Sequence, residues 1–77
     1  PMQSPMQSIA VIGAGQMGTG IAQTIAAHGM TVMLADIDLA RAEAGKANVE
    51  KALMKLMGRG KIEADEAEKL LARITPV

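Results

Sequence analysis

Residues 11–22, VIGAGQMGTGIA, carry four glycines across the point where an apolar run gives way to helical spacing. Glycine costs roughly 0.5–1 kcal/mol relative to alanine inside a strand or a helix. The stretch therefore gives up local stability for something else. Gly13-Ala14-Gly15-Gln16-Met17-Gly18 fits the spacing G-x-G-x-x-G. Ahead of it, Ile9-Ala10-Val11-Ile12 has the β-branched, wholly apolar character of a strand buried on both faces. Behind it, Ile21, Ala22, Ile25 and Ala26 recur at helical intervals as far as His28-Gly29. The order is strand, tight turn, helix.

In that order each glycine of the motif has a mechanical task. Gly13 permits the turn, Gly15 lets the backbone approach a pyrophosphate, and Gly18 allows close helix–strand contact. The N–H groups of the first helical turn, with the positive end of the helix dipole behind them, then face the phosphates. Gln16 and Met17 complete the loop. Gly29 stops the helix, and Met30-Thr31-Val32-Met33-Leu34-Ala35 is a second short apolar run ending at Asp36-Ile37. Asp36 lies about 20 residues beyond the glycines, where a dinucleotide fold expects the acid that accepts hydrogen bonds from the adenosine ribose. Asp38 is better placed to cap the next helix. An acid at position 36 repels a 2′-phosphate, and the first Arg is Arg41, so the cofactor expected is NAD rather than NADP.

Bulk composition narrows the classes further. A chain of 77 residues buries one modest core. It has no cysteine, which removes disulfides and thiolate metal sites and suits an intracellular, cytoplasmic protein. No apolar run reaches the length of a membrane span, so no membrane partner is expected. The formal charge is zero and Phe, Tyr and Trp are absent, so neither electrostatic attraction nor aromatic stacking points to nucleic acid. Residues 1–35 hold no Asp, Glu, Lys or Arg. A phosphate site there must rely on backbone N–H groups. The PMQS-PMQS repeat spans residues 1–8, and residues 1–7 read as a disordered or expression-derived lead-in.

From Asp38 onward the pattern becomes amphipathic. Leu39, Ala42, Val49, Leu53 and Leu56 predict a helix from Leu39 to Met57 with Gly45 tolerated inside it, ended by Gly58-Arg59-Gly60. Ala67, Leu70, Leu71 and Ile74 predict a second helix over Ala64–Arg73. The two make a helical hairpin over 37–74 that follows a β-α-β unit over 8–36. Lys51, Lys55 and Arg59 stand at i, i+4 and i+8, a row that could hold a polyanion or form a plain solvated face. His28, the only histidine, reads as a cation at a helix C-terminus, and Met17, Met30, Met33, Met54 and Met57 as core filler.

VIGAGQMGTGIAQ, the LADID segment around Asp36, and MGRGKIEADEAEKLLARITP together resemble the N-terminal NAD-binding segment of 3-hydroxyacyl-CoA dehydrogenases, especially the bacterial 3-hydroxybutyryl-CoA enzymes. The resemblance runs from Ser8 onward, and its GKI segment is more specific than the glycine motif. It implies an α/β fold, the first β-α-β unit of a Rossmann-type domain followed by the hairpin, as a partial domain. It implies NAD held by Gly13, Gly15, Gln16, Met17, Gly18, Asp36 and Ile37, and the coenzyme A part of a thioester substrate held by Lys55 and Arg59. The family's catalytic His–Glu pair, with an assisting Ser and Asn, falls downstream of Val77, so these residues alone are expected to be inactive. Glu63 stands where the family commonly has a Thr or Ser cap, which predicts a looser turn. A stand-alone, non-catalytic nucleotide-binding or oligomerising module is the other reading. The 3-hydroxyisobutyrate type of dehydrogenase is a rival within the enzymes, although it generally carries a basic residue or Asn where Asp36 stands. The third and fourth strands of the doubly wound order 3-2-1-4-5-6 are expected to be missing. Both sheet edges would then be bare, and a homo-oligomer is expected.

Overall fold

The computed structural model describes residues 8–77; the lead-in expected over 1–7 lies outside the described residues. The chain runs β1 (Ser8–Ile12), α1 (Gln16–Ala27), β2 (Thr31–Ala35), α2 (Leu39–Gly58), α3 (Ala64–Ala72) and β3 (Ile74–Pro76). Local chemistry sets most of these bounds. Gly29, at φ +89, ends α1 in the left-handed conformation that glycine adopts without strain. Asp38 caps α2 as expected, its carboxylate accepting from the Arg41 N–H at 2.8 Å. At the other end of α2, Gly60 (φ +71) donates to the Met57 carbonyl at 3.0 Å and Lys61 to the Leu56 carbonyl at 2.8 Å, a Schellman closure. Glu63, at the N-cap of α3, makes no side-chain cap bond, in line with its weaker capping chemistry.

The sheet is parallel, in the order β1-β2-β3, with Ile9 opposite Val32 and Val32 opposite Ile74. A third strand is therefore present, contrary to the expectation from sequence. Residues 74–76 are too short to show a strand period, and Ile74, which fits the α3 stripe, instead sits in β3. The hairpin is the crossover that joins β2 to β3. The Val32 N–H donates to the Arg73 carbonyl at 2.7 Å and the Val77 N–H to the Leu34 carbonyl at 2.9 Å, which secures the short strand at both ends.

Exposure alternates along β2, with Val32 and Leu34 buried and Thr31 and Met33 exposed. The helices therefore cover one face only. Crossovers of one hand that advance in one direction place their helices on the same side of a parallel sheet. The core consists of Val11, Val32, Leu34 and Ile74 from the sheet against Ala22 and Ala26 of α1, Val49 and Leu53 of α2, and Ala67 and Leu70 of α3. β1 is thus not buried on both faces as its composition suggested. Val11 is covered, but Ile12 is 79% exposed, because β1 lies at an edge and its second face meets no other element among the described residues. The methionines also depart from expectation: Met17, Met33 and Met54 lie on the surface.

Candidate nucleotide-binding site

The C-terminal ends of β1 and β2 and the N-terminus of α1 meet at one place, and the glycines decide how closely. Gly13 leaves β1 at φ +100, and its N–H donates to the Ala35 carbonyl at 2.7 Å. A Cβ at Gly18 would overlap the Gly13 carbonyl, its carbon lying only 2.9 Å away. The first turn of α1 therefore rests directly on the strand end. Gly15 is the reverse case: nothing lies within 4 Å of where its Cβ would be, so a ligand can approach the backbone there. The N-cap Gly15 offers no side-chain cap bond and no acid occupies the first turn of α1, which leaves the first-turn N–H groups open to a ligand.

Asp36 follows β2 directly. Its Oδ2 accepts from the Ala14 N–H at 2.7 Å and its Oδ1 from the Ile37 N–H at 2.6 Å. These bonds, Ala14's first, hold the carboxyl below its usual value of 3.8; Arg41 adds to the effect and partial burial opposes it. The group is charged at neutral pH. A carboxylate offers about four acceptor directions, so two remain for hydroxyl donors. The cradle thus fits a dinucleotide: backbone N–H groups for the phosphates, an open approach over Gly15, and an ionised acceptor beside the loop.

Of the residues singled out from sequence, Gly13, Gly15, Gln16, Met17, Gly18, Asp36 and Ile37 converge here. Met17 and Ile37 are 81% and 78% exposed, so both keep apolar surface available. Lys55 and Arg59 do not converge with them. Lys55 lies in the last turn of α2 and Arg59 is its C-cap, both exposed. At about 1.5 Å of rise per residue, they stand roughly 15 and 21 Å along the axis from Gly45, where α2 meets the loop. His28 caps α1, its Nδ1 lying 2.8 Å from the Thr24 carbonyl.

Sequence reasoning missed three residues. Ala14 supplies the N–H that fixes Asp36. Arg73 donates from its guanidinium to the Ala26 carbonyl at 2.8 Å, which ties the end of α3 to the C-terminus of α1. Gly45 is buried against the loop rather than merely tolerated in α2. Its signal was legible, since it lies on the buried stripe with Ala42, Val49 and Leu53 and not on the wet face.

Comparison with known proteins agrees with this geometry. Residues 8–77 match the family described as 3-hydroxyacyl-CoA dehydrogenase, NAD binding domain. The chain belongs to that family, and NAD is the cofactor the family's description gives. It is 38% identical over 76 residues to the 3-hydroxyadipyl-CoA dehydrogenase of Escherichia coli, an alignment covering 99% of this chain and 16% of that protein. It is 47% identical over 64 residues to a probable 3-hydroxybutyryl-CoA dehydrogenase of Deinococcus radiodurans, covering 83% and 23%. Among solved structures, the (S)-3-hydroxybutyryl-CoA dehydrogenase of Ralstonia eutropha superposes with a TM-score of 0.86 at 35% identity, covering 92% of this chain and 25% of that one. The chain therefore spans a quarter or less of these relatives.

Proposed function

We propose that these residues form the N-terminal, NAD-binding part of a dehydrogenase that oxidises the 3-hydroxyl of an acyl-CoA thioester to the 3-keto form. The observation that carries the reading is the tie between Asp36 and the glycine loop, which sets an ionised ribose acceptor beside uncapped N–H donors. Within the site, Gly13, Gly15, Gln16, Met17 and Gly18 supply backbone and contact surface to the pyrophosphate side. Asp36 accepts from the ribose hydroxyls, and Ile37 covers the adjoining apolar surface. NAD supplies the hydride acceptor. The only histidine, His28, serves the helix end, so the proton acceptor for the 3-hydroxyl is not drawn from these residues. In the full-length protein, calorimetry should show NAD bound more tightly than NADP. Equal affinity for the two would overturn the assignment of Asp36.

Lys55 and Arg59 extend the reading to the substrate. Both are exposed on the helix that touches the loop, at a distance that suits the far, nucleotide end of a coenzyme A thioester. Lys55→Ala with Arg59→Ala should raise KM for the thioester about tenfold and leave kcat and NAD affinity unchanged, as for contacts made equally in ground and transition state. Steady-state kinetics on both substrates will show this; an unchanged KM returns the row to a solvated face.

The sheet face and the edge of β1, bare among the described residues, support a further expectation for the 77-residue chain by itself. β3 pairs one side of β2, so β2 is an interior strand and less edge is open than in a two-stranded sheet. Ile12 on the edge strand and Met33 on the bare face still stand in solvent. The isolated chain should self-associate at micromolar concentration in a sedimentation experiment, and a cooperatively melting monomer would refute this.

A further inference from the structure

A helix interior ordinarily excludes glycine, yet Gly45 lies seven residues into α2 and is buried. The reason lies across the interface. A Cβ at position 45 would stand 2.7 Å from the Ala14 Cβ, 3.0 Å from the Ala14 carbonyl oxygen and 3.1 Å from Leu34 Cδ2. Leu34 could rotate away, but the Ala14 carbonyl is backbone and its methyl is fixed to the backbone, so neither moves without the loop.

Ala14 is held from two sides at once. Its N–H is taken by Asp36, while its Cβ and carbonyl meet α2 at Gly45. Its neighbours are fixed as well, Gly13 through the Ala35 carbonyl and Gly15 through the bond that its own carbonyl accepts from the Thr19 N–H at 2.9 Å. We propose that Gly45 is a positioning residue for the nucleotide site: the missing side chain seats α2 on Ala14 and so sets the path of the loop that receives the pyrophosphate. This rests on the nucleotide reading of the site and assigns a role to a residue outside the glycine motif. The same contact joins the loop to the helix that carries Lys55 and Arg59, so the two ends of α2 share one rigid body.

Gly45→Ala pushes Ala14, and with it the following loop N–H groups, away from the phosphates, while Asp36 keeps its own place at the end of β2 through the Ile37 N–H. In the full-length protein it should weaken ADP binding about tenfold, the scale of a modest overpacking cost. Adenosine, which has no phosphate, should bind within about twofold of wild type. A general loss of structure would weaken both. Folded Gly45→Ala protein that binds ADP like wild type, or loses ADP and adenosine equally, overturns the proposal. Wild-type protein that binds no ADP overturns the nucleotide reading and this inference with it. Should Gly45→Ala fail to fold, Ala14→Gly/Gly45→Ala takes its place: it removes the 2.7 Å methyl–methyl overlap and leaves only the 3.0 Å approach to the carbonyl, which a shift of a few tenths of an ångström accommodates. Recovery of both fold and ADP binding supports the contact, and failure to recover either overturns it.

Discussion

Gly18→Ala should abolish NAD binding and lower the melting temperature more than any other single methyl added to this chain. The new Cβ would overlap the Gly13 carbonyl; that carbonyl is backbone and an alanine Cβ has no rotamer, so no side-chain rotation can relieve the contact. Overpacking typically costs about 1–3 kcal/mol and exceeds that where the obstacle is rigid. In a domain of this size each kcal/mol is worth roughly 4–8 °C in melting temperature. Relief can come only if α1 lifts from the end of β1, which also withdraws its first-turn N–H groups from the phosphates. Gly20→Ala is the matched control. Gly20 lies two residues further along the same helix with nothing within 4 Å of its Cβ position, so alanine should stabilise by about 0.5–1 kcal/mol. Thermal melts and calorimetry of the two variants test the claim directly, and comparable behaviour of both would refute it.

Asp36→Ala should have the second largest effect, because one carboxylate performs two tasks. It removes the proposed ribose acceptor, and it also releases the Ala14 N–H, which loses its 2.7 Å partner. Hydrogen bonds to charged groups are stronger than those between neutral ones, so NAD affinity should fall on the order of a hundredfold. NADP affinity should fall less, since removing the charge also removes repulsion of the 2′-phosphate. Equal losses would refute the ribose role. Asp36→Asn keeps the shape with a weaker acceptor and should fall between wild type and Asp36→Ala.

The same carboxylate makes an acid-dependent contribution whose direction follows from its lowered pKa. A group depressed in the folded state stabilises fully above its unfolded value and loses that stabilisation as pH falls through the folded value. The wild-type chain should therefore lose stability below about pH 4 in a component that Asp36→Ala lacks. Acid titration followed by circular dichroism compares the two curves, and parallel curves would show that the Ala14 and Ile37 bonds contribute nothing to folding.

The local features of this protein were legible in its sequence because each depends on residues near one another in the chain. The glycine turn, the Asp38 cap, the stops at Gly29 and Gly60 and the period of α2 all follow from nearest-neighbour sterics and hydrogen bonding. The placement of Asp36 was legible for the same reason, since a strand–turn–helix–strand unit has a nearly fixed length. Tertiary structure alone decided what depends on contacts between distant segments. Ile74–Pro76 became a strand because β2 offered an edge to pair with, although three residues are too few to announce one. Ile12 stayed in solvent although its composition suits a buried strand, because burial is decided by what covers a face and not by the residue. Gly13, Gly15, Gly18 and Gly20 look alike in a string of letters. Only the structure separates them: Gly13 is needed for its positive φ and Gly18 for its approach to the Gly13 carbonyl, while a Cβ at Gly15 or Gly20 would meet nothing within 4 Å, just as only the approach of Ala14 explains Gly45.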